Sequence, residues 1–202
     1  MTPRTTKKRQ QETHDKILDA AERLFATKGF DGTSMNDIVE ESGLSKGAIY
    51  GHFENKERLF LATWERQTTM GIEQLRQMFS PGDTAVDKLA KVGAMTMASS
   101  CDCPPQMNKM LLEFMATASR MPALEPDMQR RYDTIHAFIE EIFEEGVRSG
   151  EFRKDTDPDS LTTILFATLD GLSLHSATLG RKFDSEKLRE TLLKTVLHGI
   201  LA

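Results

Sequence analysis

The chain has 202 residues, of which 28% are charged and 39% apolar, and its formal net charge is −5. That length can bury a full core. The sequence contains no run of 18 apolar residues and no apolar segment behind its basic N-terminus. We therefore expect neither a membrane span nor a secretory signal. The two cysteines, Cys101 and Cys103, are too few for a disulfide framework and fit a reducing cytoplasm, the localisation we expect.

Basic residues are concentrated at the N-terminus. Residues 1–10 carry four basic side chains and no acidic one, a local charge of +4. Residues 1–58 hold 10 basic and 10 acidic side chains, whereas residues 59–202 hold 16 and 21. The N-terminal part of the chain (residues 1–58) is therefore neutral overall with a basic arm (residues 1–10), and the remainder is acidic. This distribution is typical of a protein that binds DNA with one end. Charge alone leaves a second interpretation open, a charged terminus without a partner.

The first twelve residues are polar, and we expect them to be mobile. From Thr13 to Gly29 apolar residues at helical spacing predict a helix. These residues are Ile17, Leu18, Ala21, Leu24 and Phe25. Gly29 is expected to end the helix, with Phe30 folding back onto it as the hydrophobic contact of a C-cap.

Two short helices joined by a tight turn are predicted over residues 33–53, TSMNDIVEESGLSKGAIYGHF. The first is expected over residues 34–41, behind an N-cap at Thr33. Gly43 suits the left-handed backbone conformation that the turn requires.

The second of these helices is predicted from Lys46 to about Phe53, with Ser45 as its N-cap. Ile49 and Phe53 are four residues apart and share one buried face. A helix of this length is not stable alone in water, so neighbouring elements must hold it. The pattern indicates a helix-turn-helix.

Six further helices are predicted beyond this stretch. Asn55 is expected to cap a long helix that ends near Phe79, and residues 80–83, SPGD, form a break. The other five helices are expected over residues 84–99, 105–120, 126–149, 159–179 and 185–201. No alternating β-type run occurs, so the predicted fold class is all-α with about nine helices.

Residues 16–60, KILDAAERLFATKGFDGTSMNDIVEESGLSKGAIYGHFENKERLF, closely resemble the DNA-binding domain of the TetR family of bacterial transcriptional regulators. LFATKGFDGTS, SGLSKGAIYGHF and NKERLF match family signature pieces in order and spacing, and Leu169-Asp170-Gly171-Leu172 is similar to a turn of the family's dimerising helices. Val39 and Ser42 stand where the family usually has alanine. Gly51 replaces an aromatic or polar residue, so one DNA contact is expected to be missing.

The resemblance implies two domains. Residues 1–58 would form a three-helix helix-turn-helix DNA-binding domain with the basic arm, and residues 59–202 a helical effector-binding and dimerisation domain. The expected protein is a homodimer through its last two helices that binds a double-stranded DNA operator. A small-molecule effector would spread the two heads and release the DNA.

The second helix of such a domain enters the major groove, and phosphate contacts flank it. By position, the resemblance assigns DNA contacts to nine residues. They are Thr33, Ser34, Ser45, Lys46, Gly47, Ala48, Tyr50, His52 and Lys56. For each of them the alternative is a capping or solvent-facing role.

The effector site is less defined by the sequence. Seven of the 11 methionines lie within residues 95–128, and methionine suits a wall that accepts varied apolar ligands, although it also fills gaps in ordinary cores. The candidate lining residues are Trp64, Met110, Phe114, Met115, Tyr132, His136, Phe166 and His175. We expect a mostly apolar ligand with one polar head.

Other function classes are less supported. We expect no catalytic residues, metal site or cofactor: His136 with Glu140 is a tempting i, i+4 metal pair that lacks further ligands, and Cys101 with Cys103 forms a two-residue motif without a third. The favoured function is a ligand-responsive repressor. An activator or global DNA-binding regulator of the same fold stays open, and a helical small-molecule carrier would leave the exposed donors of the recognition helix without a role.

Overall fold

A computed structural model describes residues 3–101, 105–179 and 183–202. Within these ranges the chain forms nine α-helices and one short 3₁₀ turn, and its β-pairing is an isolated bridge between Phe152 and Leu201. The α-helices are α1 Pro3–Lys28, α2 Met35–Ser42, α3 Lys46–Tyr50, α4 Lys56–Met78, α5 Ala85–Cys101, α6 Pro105–Ala118, α7 Glu125–Ser149, α8 Pro158–Leu179 and α9 Ser185–Ile200. The 3₁₀ turn is Pro122–Leu124. The all-α prediction is confirmed, and each of α4 to α9 begins and ends within two residues of its expected bounds.

The N-terminal arm differs from the prediction. Residues 3–12, expected to be mobile, are the first turns of α1. Straight-chain residues of good helix propensity extend a helix whose nucleus is already anchored by the core. Local contacts support this extension, since Lys8 pairs with Glu12 at 3.9 Å and the Thr13 hydroxyl donates to the Arg9 carbonyl at 2.9 Å.

The start of α2 and the end of α3 also differ. Ser34, and not Thr33, is the N-cap of α2, and it forms a reciprocal capping box with Asp37. Thr33 is buried, and its hydroxyl donates to the Gly29 carbonyl at 2.7 Å. The helix α3 ends at Tyr50 instead of near Phe53, although the Phe53 amide still donates to the Ile49 carbonyl at 2.9 Å.

The chain divides into two compact units. The first comprises residues 1–67 and 110–128, and the second comprises residues 68–109 and 129–202. This division differs from the boundary expected at residue 58, because the last turns of α6 and the start of α7 pack into the core of the N-terminal helices. The long helix α4 contributes to both units.

Aromatic rings form the centre of the first unit. The Phe60 ring lies 5.0 Å from Phe25, 5.2 Å from Phe30 and 4.4 Å from Phe114, measured between centroids. Phe114, from α6, is fully buried among these rings. Leu124 of the 3₁₀ turn is also buried in this core, so residues distant in sequence complete it.

The core of the second unit lies among α5, α7, α8 and α9. Its buried residues include Leu89, Phe138, Phe143, Phe152 and Ile200. Backbone bonds tie the end of α9 to the loop before α8, since the Arg153 amide donates to the Ile200 carbonyl at 2.8 Å. In the described ranges no helix combines the length and the apolar character needed to cross a membrane.

Gly146 of α7 provides a test of packing in the second unit. A Cβ atom there would lie 2.2 Å from the Phe152 ring, which is fully buried and cannot move aside. We expect Gly146→Ala to lower the free energy of unfolding by roughly 1–3 kcal/mol through overpacking. Chemical denaturation measures this change. Gly47→Ala, whose Cβ would meet nothing within 4 Å, is the matched control, and equal effects of the two substitutions would contradict this account.

Candidate nucleic-acid interface

The turn between α2 and α3 has the conformation that its sequence predicts. Gly43 adopts a left-handed backbone conformation with φ 65°, at the C-cap of α2. Ser45 is the N-cap of α3, and its hydroxyl accepts from the Ala48 amide at 3.2 Å. Ile49 is fully buried and Phe53 nearly so, as their four-residue spacing predicts.

Two ion pairs fix α2 against α1. Lys28 contacts the Asp37 carboxylate at 2.5 Å, and Arg23 contacts Glu41 at 2.8 Å. Hydrogen bonds from Lys28 and then from Ser34 hold the pKa of Asp37 well below its ordinary value. The capping box and the ion pair therefore share one carboxylate at the start of α2.

The opposite side of α3 is open to solvent. Ser45, Lys46, Gly47 and His52 are exposed, and Tyr50 is 43% exposed. The Lys46 ammonium lies 5.7 Å from the centre of the Tyr50 ring, a cation–π contact. This surface presents an ammonium, a phenol, a hydroxyl and an imidazole, which can donate hydrogen bonds to phosphates and base edges.

Four of the nine predicted contact residues have surroundings that differ from those of this exposed surface. Ser34 is exposed, but its hydroxyl donates to Asp37 within the capping box. Ala48 is half-buried. The Lys56 ammonium donates to the Phe30 carbonyl at 2.7 Å and lies 4.2 Å from the centre of that ring. Thr33 is only 2% exposed, so its side chain has no path to a phosphate unless the turn opens.

His14 is half-buried at the border of this surface and was not predicted from the sequence. Its ring lies 5.8 Å from the His52 ring and 5.2 Å from the Phe53 ring. A signal was present, because His14 lies three residues before Ile17, on the face of α1 that faces the core. Lys7, Lys8 and Arg9 of the arm are exposed on the first turns of the same helix.

The predicted effector residues fall into two groups in different units. In the first unit, Phe114 is fully buried, Trp64 and Met110 pack against the same core, and Met115 is 42% exposed. These contacts give Phe114 a structural role in the core.

The other four predicted effector residues belong to the second unit. The Phe166 ring lies 5.3 Å from Tyr132 and 6.4 Å from His136, and His175 is exposed. His136 Nδ1 lies 3.5 Å from Glu140, and Nε2 lies 3.5 Å from Asp159. Because these carboxylates flank different ring nitrogens, they do not converge on one metal position. Among the described residues, which exclude Cys103, no cluster of three or more metal-ligating side chains occurs.

Two cavities lie within single units. A small apolar cavity of about 50 Å³ lies among α5, α7, α8 and α9, with Arg189 on its wall. An open groove of about 410 Å³ lies in the first unit, where α6 ends and α7 begins. Met115 is the one predicted effector residue that lines either of them, within the described part of the chain.

A capped helix-turn-helix with an exposed donor surface, followed by a helical body, defines the class of DNA-binding transcriptional regulators. Residues 17–63 match the model of bacterial regulatory proteins of the tetR family, and residues 102–202 match the model of the BetI-type transcriptional repressor C-terminal domain. The chain belongs to the TetR family.

Individual relatives agree with this assignment. The chain is 28% identical, over 98% of both sequences, to the uncharacterized HTH-type transcriptional regulator YfiR of Bacillus subtilis (strain 168). Its fold is similar to that of a FadR regulator from Bacillus subtilis in complex with stearoyl-CoA, with TM-score 0.69, 21% identity and coverage of 91% and 97%. It is also similar to a putative regulator from Saccharomonospora viridis in complex with choline, with TM-score 0.75, 24% identity and coverage of 95% and 99%.

The shared carboxylate at the start of α2 gives a pH-dependent prediction. Because the folded-state pKa of Asp37 is depressed, its stabilisation is present above the ordinary carboxylate range near pH 4 and is lost as the pH falls through the folded-state pKa. We expect Asp37→Asn to lower stability at neutral pH and this deficit to shrink below about pH 4. Urea unfolding of both proteins across the pH range measures the deficit. Asp31→Asn removes an exposed carboxylate of the neighbouring turn and is the control, and a pH-independent deficit for Asp37→Asn would contradict the prediction.

Proposed function

We propose that the protein is a homodimeric repressor that binds a palindromic operator through α3 and is released by a small, largely apolar effector. The observation that carries this proposal is the exposed donor surface of α3. Ile49 and Phe53 anchor one side of this segment in the core, which leaves Lys46, Tyr50 and His52 toward the solvent. Such a surface fits the major groove.

The DNA contacts that we propose are seven of the nine residues predicted from the sequence. Ser45, Lys46, Gly47, Tyr50 and His52 are exposed and form its centre, with Ser34 and Ala48 at its edge. Gly47 lets the backbone approach DNA, since no side chain intervenes. Lys56 is proposed to position α4 through Phe30, and Thr33 is left out of the set because it is buried.

The homodimer is supported by apolar residues exposed on α8. Ile164 is 54% exposed, Leu174 43% and Leu179 66%. Exposed apolar patches of this kind mark association surfaces. A symmetric dimer would cover them and would present two copies of α3 to the two halves of an inverted repeat.

An activator of the same fold would use the same DNA surface, so the direction of regulation needs its own measurement. The BetI-type repressor model that matches residues 102–202 favours repression. Reporter transcription from a promoter that carries the operator, with and without the protein, distinguishes the two functions. Transcription should fall when the repressor is present.

Selection of binding sites from a random duplex library tests the DNA-binding mode. We expect enrichment of an inverted repeat whose half-sites lie about one helical turn, or a multiple of it, apart. Lys46→Ala and Tyr50→Ala should each lower affinity for this site by roughly tenfold or more, because each removes a base or phosphate contact. Fluorescence anisotropy measures the affinity.

Lys154→Ala removes an exposed lysine of the second unit and is the matched control. Light scattering should show an unchanged dimer for all three variants. Full DNA affinity in Lys46→Ala and Tyr50→Ala would contradict the proposed role of α3.

The basic arm gives an independent prediction. Lys7, Lys8 and Arg9 lie on the first turns of α1, so replacing all three with glutamine removes charge while keeping helix propensity. Each phosphate contact that is lost should reduce the slope of log affinity against log salt by about one. Titrations at several salt concentrations measure the slope, and an unchanged slope would remove the arm from the proposed interface.

A further inference from the structure

The open groove of the first unit is the larger of the two described cavities. Its volume of about 410 Å³ lies within the range of ligand sites, about 300–1,000 Å³, whereas the apolar cavity of the second unit holds about 50 Å³. The described wall of the groove combines the end of α6, the 3₁₀ turn and the first turn of α7.

The chemistry of this wall selects one ligand class. Met115, Met121 and Met128 supply flexible, polarizable thioethers that adapt to varied apolar shapes. Among the described residues that line the groove, Glu125 alone carries a charge, and it is exposed. A carboxylate beside thioethers favours a cation with an apolar body and disfavours an anion.

Residues 121–128, which form part of the groove wall, also contact the start of α4. The Arg58 guanidinium donates to the Ala123 carbonyl at 3.0 Å and pairs with the Asp127 carboxylate. Leu124, between these two residues, is buried in the core that anchors α3. A molecule that shifts residues 121–128 would therefore shift Arg58, which lies in the first turn of α4.

We propose that this groove binds a small organic cation with an apolar body, and that occupancy reaches the DNA-binding surface through Arg58. The release of DNA in this inference depends on the proposed repressor function. Binding to the groove does not depend on it. Glu125 supplies the counter-charge, and the three methionines contact the apolar body.

Isothermal titration calorimetry of the full chain without DNA tests the site. The probes are tetraphenylphosphonium and tetraphenylborate, which share one shape and carry opposite charges. We expect tetraphenylphosphonium to bind more tightly. Glu125→Gln should weaken it by about threefold to fivefold, the range for one partly solvated charge pair.

Glu144→Gln, on the same helix but paired with Arg148, is the matched control and should leave binding unchanged. Met115→Lys places a positive charge in the groove and should abolish binding, whereas Met70→Lys changes an exposed methionine of the second unit and should not. Equal binding of the two probes, or full binding by Glu125→Gln and Met115→Lys, would overturn the inference.

A second measurement tests the route through Arg58. Tetraphenylphosphonium should lower affinity for the selected DNA site in the unsubstituted protein, and Arg58→Met should still bind the cation but lose this effect. If Arg58→Met releases DNA as the unsubstituted protein does, the route is wrong. If the cation binds the groove and no DNA site can be selected, the repressor function fails while the ligand site stands.

Discussion

The proposed DNA-binding surface depends on the burial of Phe114 from α6. Its ring lies 4.4 Å from Phe60 and 5.5 Å from Phe30, and it is fully buried. Burial of one such side chain contributes about 1.5–3 kcal/mol. The five-residue helix α3 has no stability of its own and takes its position from this core through Ile49. A residue more than 60 positions away in sequence therefore helps to hold the helix proposed to contact DNA.

Polar contacts of α4 complete this arrangement. Arg66 binds Glu22 at 2.7 Å and Asp19 at 2.9 Å, which fastens α4 to α1 and raises the pKa of the guanidinium. Lys56 and Arg58, in the first turn of the helix, bind main-chain carbonyls of other segments of the unit. Partly exposed pairs contribute little to stability, but several of them together restrict the direction in which α4 can lie. The contacts of Arg58 with Ala123 and Asp127 link residues 121–128 to α4, the helix that follows α3 in the chain.

Local signals were sufficient for most of the fold, and the errors lie where the same local sequence is compatible with two arrangements. Gly43 and Ser45 predicted the turn because a left-handed glycine and a capping hydroxyl act within a few residues. Thr33 and Ser34 are both acceptable caps, and they are distinguished by the hydrogen bond of the Thr33 hydroxyl to the Gly29 carbonyl and by the capping box of Ser34 with Asp37. The predicted effector residues belong to both units, and the sequence does not distinguish those that fill a core. A buried aromatic residue such as Phe114 has the same sequence pattern whether it fills a core or lines a cavity.

Native-state hydrogen exchange tests most directly whether Phe114 is part of the core that holds α3. Phe114→Leu leaves a cavity among the rings, and Phe152→Leu makes the matching change in the core of the second unit. Our account predicts that Phe114→Leu accelerates exchange of the amides of α2 and α3 together with those of residues 110–128, whereas Phe152→Leu leaves α2 and α3 protected. Faster exchange confined to residues 110–128 in Phe114→Leu would contradict it.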